Sequence, residues 1–168
     1  MKTVAYKIGS TTDQTLTFGY DSGTNGKGRL TSASDSTHSM SWSYDAQGRV
    51  LSKSQTLGSV TRTVSYGYTN GNLTSMISPS GQTILYSYNA NHQITGLTVN
   101  GTTVLNNVTY EPFGPTTGWS WGNGTIAVRS YDTDGKITQV DGGGLKTYLY
   151  DDAFRITGIT DTLAPANT

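Results

Sequence analysis

The chain has 168 residues, with eleven Lys+Arg against eleven Asp+Glu and only 13% charged residues; that suits one domain and gives no charge footprint for nucleic acid or a membrane surface. It lacks cysteine, which excludes disulfides, thiolate metal sites and cysteine nucleophiles, and its two histidines, His38 and His92, are too few to suggest a zinc site, so no metal or cofactor is expected. No apolar run approaches the ~20 residues of a membrane-spanning helix, and the stretch Met1 to Lys7 is too short and polar for a signal peptide; export would use another route, or the chain is an internal piece of a longer protein.

Thr (29), Ser (18) and Gly (21) supply 68 of the 168 residues, Glu occurs once, at Glu111, and eleven Tyr dominate the aromatics. Thr and Tyr favour strands, whereas the helix-favouring Ala and long charged side chains are scarce. Low hydrophobicity also suits a disordered coil, but the aromatic content and the patterning along the chain argue against one.

After a leading strand over residues 1–15, a repeat runs from about 16 to 161, and a polar tail follows over 162–168. One tyrosine recurs at Tyr20, Tyr44, Tyr68, Tyr88, Tyr110, Tyr131 and Tyr150, with spacings of 19 to 24 residues. Strict alternation precedes most of them: Leu16-x-Phe18-x-Tyr20, Met40-x-Trp42-x-Tyr44, Val64-x-Tyr66-x-Tyr68 and Ile84-x-Tyr86-x-Tyr88. Period two places these side chains on one face of a strand and Ser, Thr and Gly on the other. A turn follows, as in Asp45-Ala46-Gln47-Gly48, Thr69-Asn70-Gly71 and Asp132-Thr133-Asp134-Gly135: Asp bonds the backbone ahead of it, and Gly takes positive φ. A second strand then opens at Arg29-Leu30, Arg49-Val50, Asn72-Leu73, Gln93-Ile94, Lys136-Ile137 and Arg155-Ile156. Its next apolar residue comes three positions on, as in Leu30/Ala33, Leu73/Met76 and Ile137/Val140, which predicts a bulge recurring in that strand. Each unit of about 22 residues is thus a β-hairpin, and the expected fold is all-β, an antiparallel twisted or spiralling sheet of about seven hairpin units.

Tyr44-Asp45-Ala46-Gln47-Gly48-Arg49-Val50-Leu51-Ser52 resembles the YD repeat, also called the RHS repeat. Tyr131-Asp132 through Gly135-Lys136-Ile137-Thr138 is close to it, and Tyr150-Asp151 through Arg155-Ile156-Thr157 is a near match. Tyr110-Glu111-Pro112-Phe113-Gly114-Pro115, followed by Gly118 to Gly124, resembles a variant unit of bacterial RHS proteins. The family includes bacterial RHS polymorphic toxins, the C component of insecticidal toxin complexes, wall-associated proteins and teneurins. The resemblance implies a spiralling β-sheet that forms a hollow shell around a toxin domain, at a secreted or cell-surface location. It also implies a repeat signature made of the seven tyrosines with Asp45, Gly48, Arg49, Gly71, Asp132, Gly135, Asp151 and Arg155. The Asp-Pro-x-Gly motif that ends such shells is absent, and seven repeats are fewer than a closed shell takes, so a fragment or a short stand-alone ribbon is expected.

Catalytic and metal motifs weigh little. Gly118-Trp119-Ser120-Trp121-Gly122 matches G-x-S-x-G, but that motif needs a strand–turn–helix and a later His; the better reading is a Gly-bracketed turn putting both Trp in a core. Asp132-x-Asp134-Gly135 opens like a calcium loop, yet Gly143 stands where the Glu at position twelve belongs. Neither histidine has a partner in sequence, so both read as surface residues. Asp45/Arg49 and Asp151/Arg155 read as turn-bridging ion pairs rather than ligand-binding charges. The sequons at Asn72, Asn100, Asn107 and Asn123 are expected by chance in so Thr-rich a chain.

No enzyme is expected, and the leading functional reading is shell or scaffold material. The alternative is a carbohydrate-binding module at a cell surface, since aromatic faces stack on sugars and Ser/Thr/Asn rows bond them; sharing that face with Leu16, Met40, Val64 and Ile84 favours a core instead. Uncapped edges and charge-free segments such as Thr83 to Tyr88 predict pairing with neighbouring repeats or self-association.

Overall fold

The computed structural model describes residues 1–112 and 114–163. It contains fifteen strands: Lys2–Ile8 (β1), Thr11–Tyr20 (β2), Leu30–Ser34 (β3), His38–Tyr44 (β4), Val50–Leu57 (β5), Val60–Thr69 (β6), Asn72–Ile77 (β7), Thr83–Tyr88 (β8), Ile94–Val99 (β9), Thr102–Tyr110 (β10), Thr116–Trp121 (β11), Ile126–Tyr131 (β12), Ile137–Asp141 (β13), Lys146–Tyr150 (β14) and Ile156–Asp161 (β15). There is no helix among the described residues. The strands form one antiparallel sheet whose order is the chain order, the arrangement produced when every connection is a hairpin. The stretch expected as a single leading strand holds β1 and the first half of β2. The chain divides into two compact units, Met1–Ile84 and Leu85–Thr168.

Register assigns the faces. In the first unit Gly19 pairs with Ser32, Ser32 with Ser41, Ser41 with Ser54 and Ser54 with Thr63. One residue along, Phe18 pairs with Ala33, Ala33 with Met40, Met40 with Gln55 and Gln55 with Arg62. Alternation therefore yields a hydroxyl face and an aromatic–aliphatic face, as the period-two pattern predicts. Hydroxyls on the first face bond across the strands: Ser43 with Ser52 at 2.6 Å, Ser54 with Thr63 at 2.8 Å and Thr56 with Thr61 at 2.9 Å.

The recurring bulge is present. Tyr20 pairs with Leu30 while Gly19 pairs with Ser32, leaving Thr31 without an opposite residue. Leu51, Thr74, Thr117, Thr138 and Thr157 occupy the same place in later repeats. Thr is frequent there for a physical reason: its hydroxyl can bond the ladder carbonyl that a bulge disrupts. Thr31 Oγ1 donates to the Gly19 carbonyl at 3.3 Å, and Thr74 Oγ1 to that of Gly67 at 3.3 Å.

Among the described residues the expected core is absent. Val108 (9% exposed) and Ala127 (6%) are the buried hydrophobic residues among those described, and Thr31 (5%) is more enclosed than either. A sheet with nothing packed on its aromatic face buries side chains only against lateral neighbours. The signature tyrosines from Tyr44 onward are accordingly half-buried rather than interior, and Tyr20 is 40% exposed.

Candidate functional site

The repeat turn is where polar chemistry recurs. In the turn from Asp45 to Arg49, the Asp45 N–H donates to the Arg49 carbonyl and the Gly48 N–H to the Asp45 carbonyl, both at 3.0 Å. Carboxylate Oδ1 of Asp45 accepts the backbone N–H groups of Gln47 (3.0 Å) and Arg49 (2.8 Å), and Oδ2 accepts Arg49 Nε at 2.7 Å. Asp132 receives Asp134 and Lys136 in the same way, and Asp151 receives Ala153 and Arg155. Gly48 and Gly135 fill the fourth turn position at φ 84° and 80°, a left-handed conformation that only glycine adopts freely. Asn89 builds an equivalent turn with its amide, Oδ1 accepting Asn91 and Gln93 N–H while Nδ2 donates to Gln93 Oε1 at 2.8 Å. Reading the repeat by its aspartates missed Asn89; the Asn89/Gln93 offset, equal to that of Asp45/Arg49, was the available signal.

These bonds set the charge states. Burial alone would raise the Asp45 carboxyl, but the Arg49 N–H and guanidinium outweigh it and hold the group below the usual range. Asp132 is lowered in the same way against burial by Lys136. At Asp151 the Arg155 N–H and side chain are the largest influences, and they lower it. Burial pulls Lys136 down, yet Asp132 and Asp134 together hold it raised. The turn charges thus serve one another: Arg49 to Asp45 and Arg155 to Asp151 are both 2.7 Å contacts, as the ion-pair reading expected. Lys136 Nζ lies 3.2 and 3.3 Å from Asp132 and Asp134, so a lysine stands between the carboxylates of the calcium-like motif. Among the described residues no acidic or histidine cluster could hold a metal.

Each turn also docks the next repeat. Tyr44 Oη donates to the Leu30 carbonyl (2.6 Å), Tyr68 to Val50 (3.1 Å), Tyr110 to Ile94 (2.6 Å), Tyr131 to Thr116 (3.0 Å) and Tyr150 to Ile137 (2.9 Å). In every case the acceptor is the first residue of the preceding repeat's second strand. The cation beside that acceptor covers the ring: Arg29 lies over Tyr44 at 5.6 Å, Arg49 over Tyr68 at 4.3 Å and Lys136 over Tyr150 at 5.7 Å. Such contacts contribute ~0.5–1 kcal/mol at exposed sites. The signature residues therefore form a coupling between repeats, built from a ring, a hydroxyl, a carbonyl and a cation. Gly71 (φ 86°) instead sits with Asn70 (φ 50°) in the tight β6–β7 turn, where Thr69 pairs with Asn72.

Two expectations need correction. Gly118 to Trp121 lies within strand β11, not in a turn; Trp119 is half-buried and Trp121 is 42% exposed. Neither indole is core, because among the described residues no second layer covers that face. The two rings meet edge to face at 5.8 Å, and Arg129 stacks on Trp119 at 4.9 Å. His38 is exposed as expected but has partners: its ring nitrogen lies 2.7 Å from Thr37 Oγ1 and 3.2 Å from Asp35 Oδ1. Backbone N–H groups of Thr37 and His38 hold Asp35 far below the usual carboxylate range. His92 is exposed with φ 61° at the fourth position of the Asn89 turn, where the Asp45 and Asp132 turns have Gly and the Asp151 turn has Phe154 (φ 63°).

The RHS Repeat family profile matches residues 67–104 and 131–165. No curated protein matches the sequence. Among solved structures, the crystal structure of TcdB2-TccC3-Cdc42 superposes with a TM-score of 0.79 at 18% identity, over 90% of this chain and 9% of that one. The Photorhabdus luminescens Tc holotoxin pore with the TccC3 D651A mutation also gives 0.79, at 17% identity over 91% and 9%. TcdB2-TccC3 without its hypervariable C-terminal region gives 0.67 at 17% identity, over 95% and 11%. The chain thus spans about a tenth of the structures it resembles, and at these identities the likeness is one of fold. With the repeat signature along the sheet and two segments matching the repeat profile, the chain resembles the RHS-repeat family in sequence pattern and in fold.

Proposed function

We propose that this chain is wall material: a scaffold segment whose repeats extend a sheet that surrounds or presents a secreted toxin. The observation that carries this reading is the tyrosine–carbonyl coupling, repeated at five junctions. It commits the recurrent polar groups to holding one hairpin on the previous one, and it leaves edges at β1 and β15 that further strands can extend. The Tc holotoxin pore and the TcdB2-TccC3 structures, which share the fold, support the toxin context. Limited proteolysis of the full-length gene product tests it. Any non-repeat cargo should resist cleavage while the sheet is folded and become labile at the urea concentration that melts the sheet. Cargo cleaved at the same rate before and after melting would refute enclosure.

A second reading, glycan binding on the aromatic face, draws support from the exposed indole of Trp121 beside Trp119. Trp121→Ala should then abolish retention on a glycan array without lowering the melting temperature. Retention unaffected by Trp121→Ala, or absent from the unmodified chain, would eliminate the platform.

A further inference from the structure

One hairpin of the first unit departs from the rest at a single position on the aromatic face. Three places after the residue that opens the second strand stand Lys53, Met76, Leu97, Trp119, Val140 and Ile159, all long or bulky, whereas the place after Leu30 is taken by Ala33. Ala33 pairs with Phe18 on β2 and with Met40 on β4, and those two strands stand two spacings apart, roughly 9–10 Å. The short side chain therefore leaves a trough between Phe18 and Met40. Its volume is about 130 Å³, with Leu16, Phe18, Ala33, Asp35, His38 and Met40 in its lining. An apolar cavity of about 150 Å³ holds one benzene molecule, so this trough has room for a single six-membered ring.

The polar side chains of the lining are Asp35 and His38, because Ser34 and Ser39, a paired couple in the ladder, alternate to the other face. The Asp35 side chain is only 11% exposed, and its oxygens are occupied. Oδ1 accepts the N–H groups of Thr37 (2.7 Å) and His38 (2.6 Å) and the Thr37 hydroxyl (3.1 Å), while Oδ2 accepts Gln14 Nε2 at 3.1 Å. The carboxylate thus offers nothing to a ligand, but it fixes the imidazole. Thr37 gives its one hydroxyl proton to Asp35, so at the 2.7 Å contact with His38 Nδ1 the Thr37 oxygen accepts. Nδ1 therefore carries a hydrogen, and it also lies 3.2 Å from Asp35 Oδ1. In the neutral ring that leaves Nε2 as an acceptor, and Nε2 has no partner among the described residues.

An apolar trough one ring wide, bordered by one unused acceptor, fits a ring with one donor. A cation would find the Asp35 oxygens already taken, and an anion would lie beside a carboxylate. A polyhydroxylated ring would set unpaired hydroxyls against Leu16, Phe18 and Met40, which is costly. An aromatic ring instead suits both the Phe18 ring and the Met40 thioether. We propose that this trough binds a free phenol, a neutral single aromatic ring whose hydroxyl donates to His38 Nε2. A tyrosyl side chain of another polypeptide carries the same group, but it adds a β-carbon and a backbone to a ring that already takes up the volume. The site uses none of the tyrosine–carbonyl contacts between repeats, so it stands apart from the wall reading.

Nitrogen-15 NMR of the whole chain, titrated separately with phenol, toluene and N-acetyltyrosinamide, tests the proposal. Phenol should move the amides of Ala33, Asp35, His38 and Met40 saturably, with a Kd on the order of 1 mM. Toluene has the same shape without the hydroxyl and should bind roughly tenfold more weakly. Ala33→Leu installs the side chain that Leu97 supplies in a later hairpin; it should keep the fold, fill the trough and abolish the shifts. His38→Phe keeps a ring in the lining but removes the acceptor, and should reduce phenol to the affinity of toluene. The proposal is overturned if phenol gives no saturable shift, if either variant binds phenol as the unmodified chain does, or if toluene binds as tightly as phenol. Tighter binding of N-acetyltyrosinamide than of phenol would also overturn it, by making a protein side chain the occupant. Cargo protection should be unchanged in Ala33→Leu, so failure of the trough leaves the wall reading standing.

Discussion

Tyr68 isolates the coupling between repeats because both of its contacts are defined: a hydroxyl bond to the Val50 carbonyl at 3.1 Å and the Arg49 guanidinium 4.3 Å over the ring. Tyr68→Phe keeps the ring and removes the hydroxyl; a hydrogen bond of this kind contributes about 1 kcal/mol net. Tyr68→Ala removes the ring as well. A fully interior aromatic would cost ~3–5 kcal/mol, but this one is half-buried, so a loss near the lower end, about 3 kcal/mol, is expected. A cycle of Tyr68→Ala with Arg49→Ala should show a coupling of ~0.5–1 kcal/mol from the cation above the ring. Urea unfolding followed by far-UV circular dichroism measures all three, provided the m-value stays constant. Tyr68→Phe matching the unmodified chain would mean that the hydroxyl does not tie the repeats together. Equal losses for Phe and Ala would mean that the ring contributes nothing by packing.

Thr31→Val strands the Gly19 carbonyl and the Ser22 hydroxyl, which lies 2.7 Å from Thr31 Oγ1, so a loss of ~1–3 kcal/mol is expected; a neutral result in urea melts would show that the bulge does not need the hydroxyl. Gly135→Ala places a Cβ in open space but at φ 80° and should cost ~1–2 kcal/mol. Gly142→Ala, equally open and without positive φ, should instead stabilise by ~0.4–1 kcal/mol, and melting temperatures in the same order for both would contradict the turn geometry. Asp45, Asp132 and Asp151 all titrate below their unfolded values. Their stabilisation is therefore complete above the ordinary carboxylate pKa of ~3.9 and disappears as pH falls through the folded values. The urea midpoint should stay flat from pH 7 to about 5 and drop below about 4, with a smaller drop in Asp45→Asn; a midpoint that rises on acidification would reverse the assigned sign.

Strand, face and bulge were legible in the chain because each is a local consequence of residue order. Alternation through Met40, Trp42 and Tyr44 chose the face, Asp45 and Gly48 made the turn, and the three-residue step from Leu73 to Met76 recorded a bulge that register places at Thr74. What covers the aromatic face is not a local property. The same alternation describes a sheet buried on one side and a sheet with nothing packed on it, so Trp119 and Trp121 read as core although the fold leaves Trp121 substantially exposed. The coupling of Tyr44 to Leu30 or of Tyr110 to Ile94 depends on which strands become neighbours, and the sequence repeats the donor without marking the acceptor. Asn107 is the extreme case. As a residue in a Thr-rich strand it carries no signal of its own, and only the register between β10 and β11 turns it into a left-handed bulge. Hydrogen bonds between sequence neighbours write their pattern into composition and spacing; register and coverage are set by distant pairing, and they exist only once the sheet has formed.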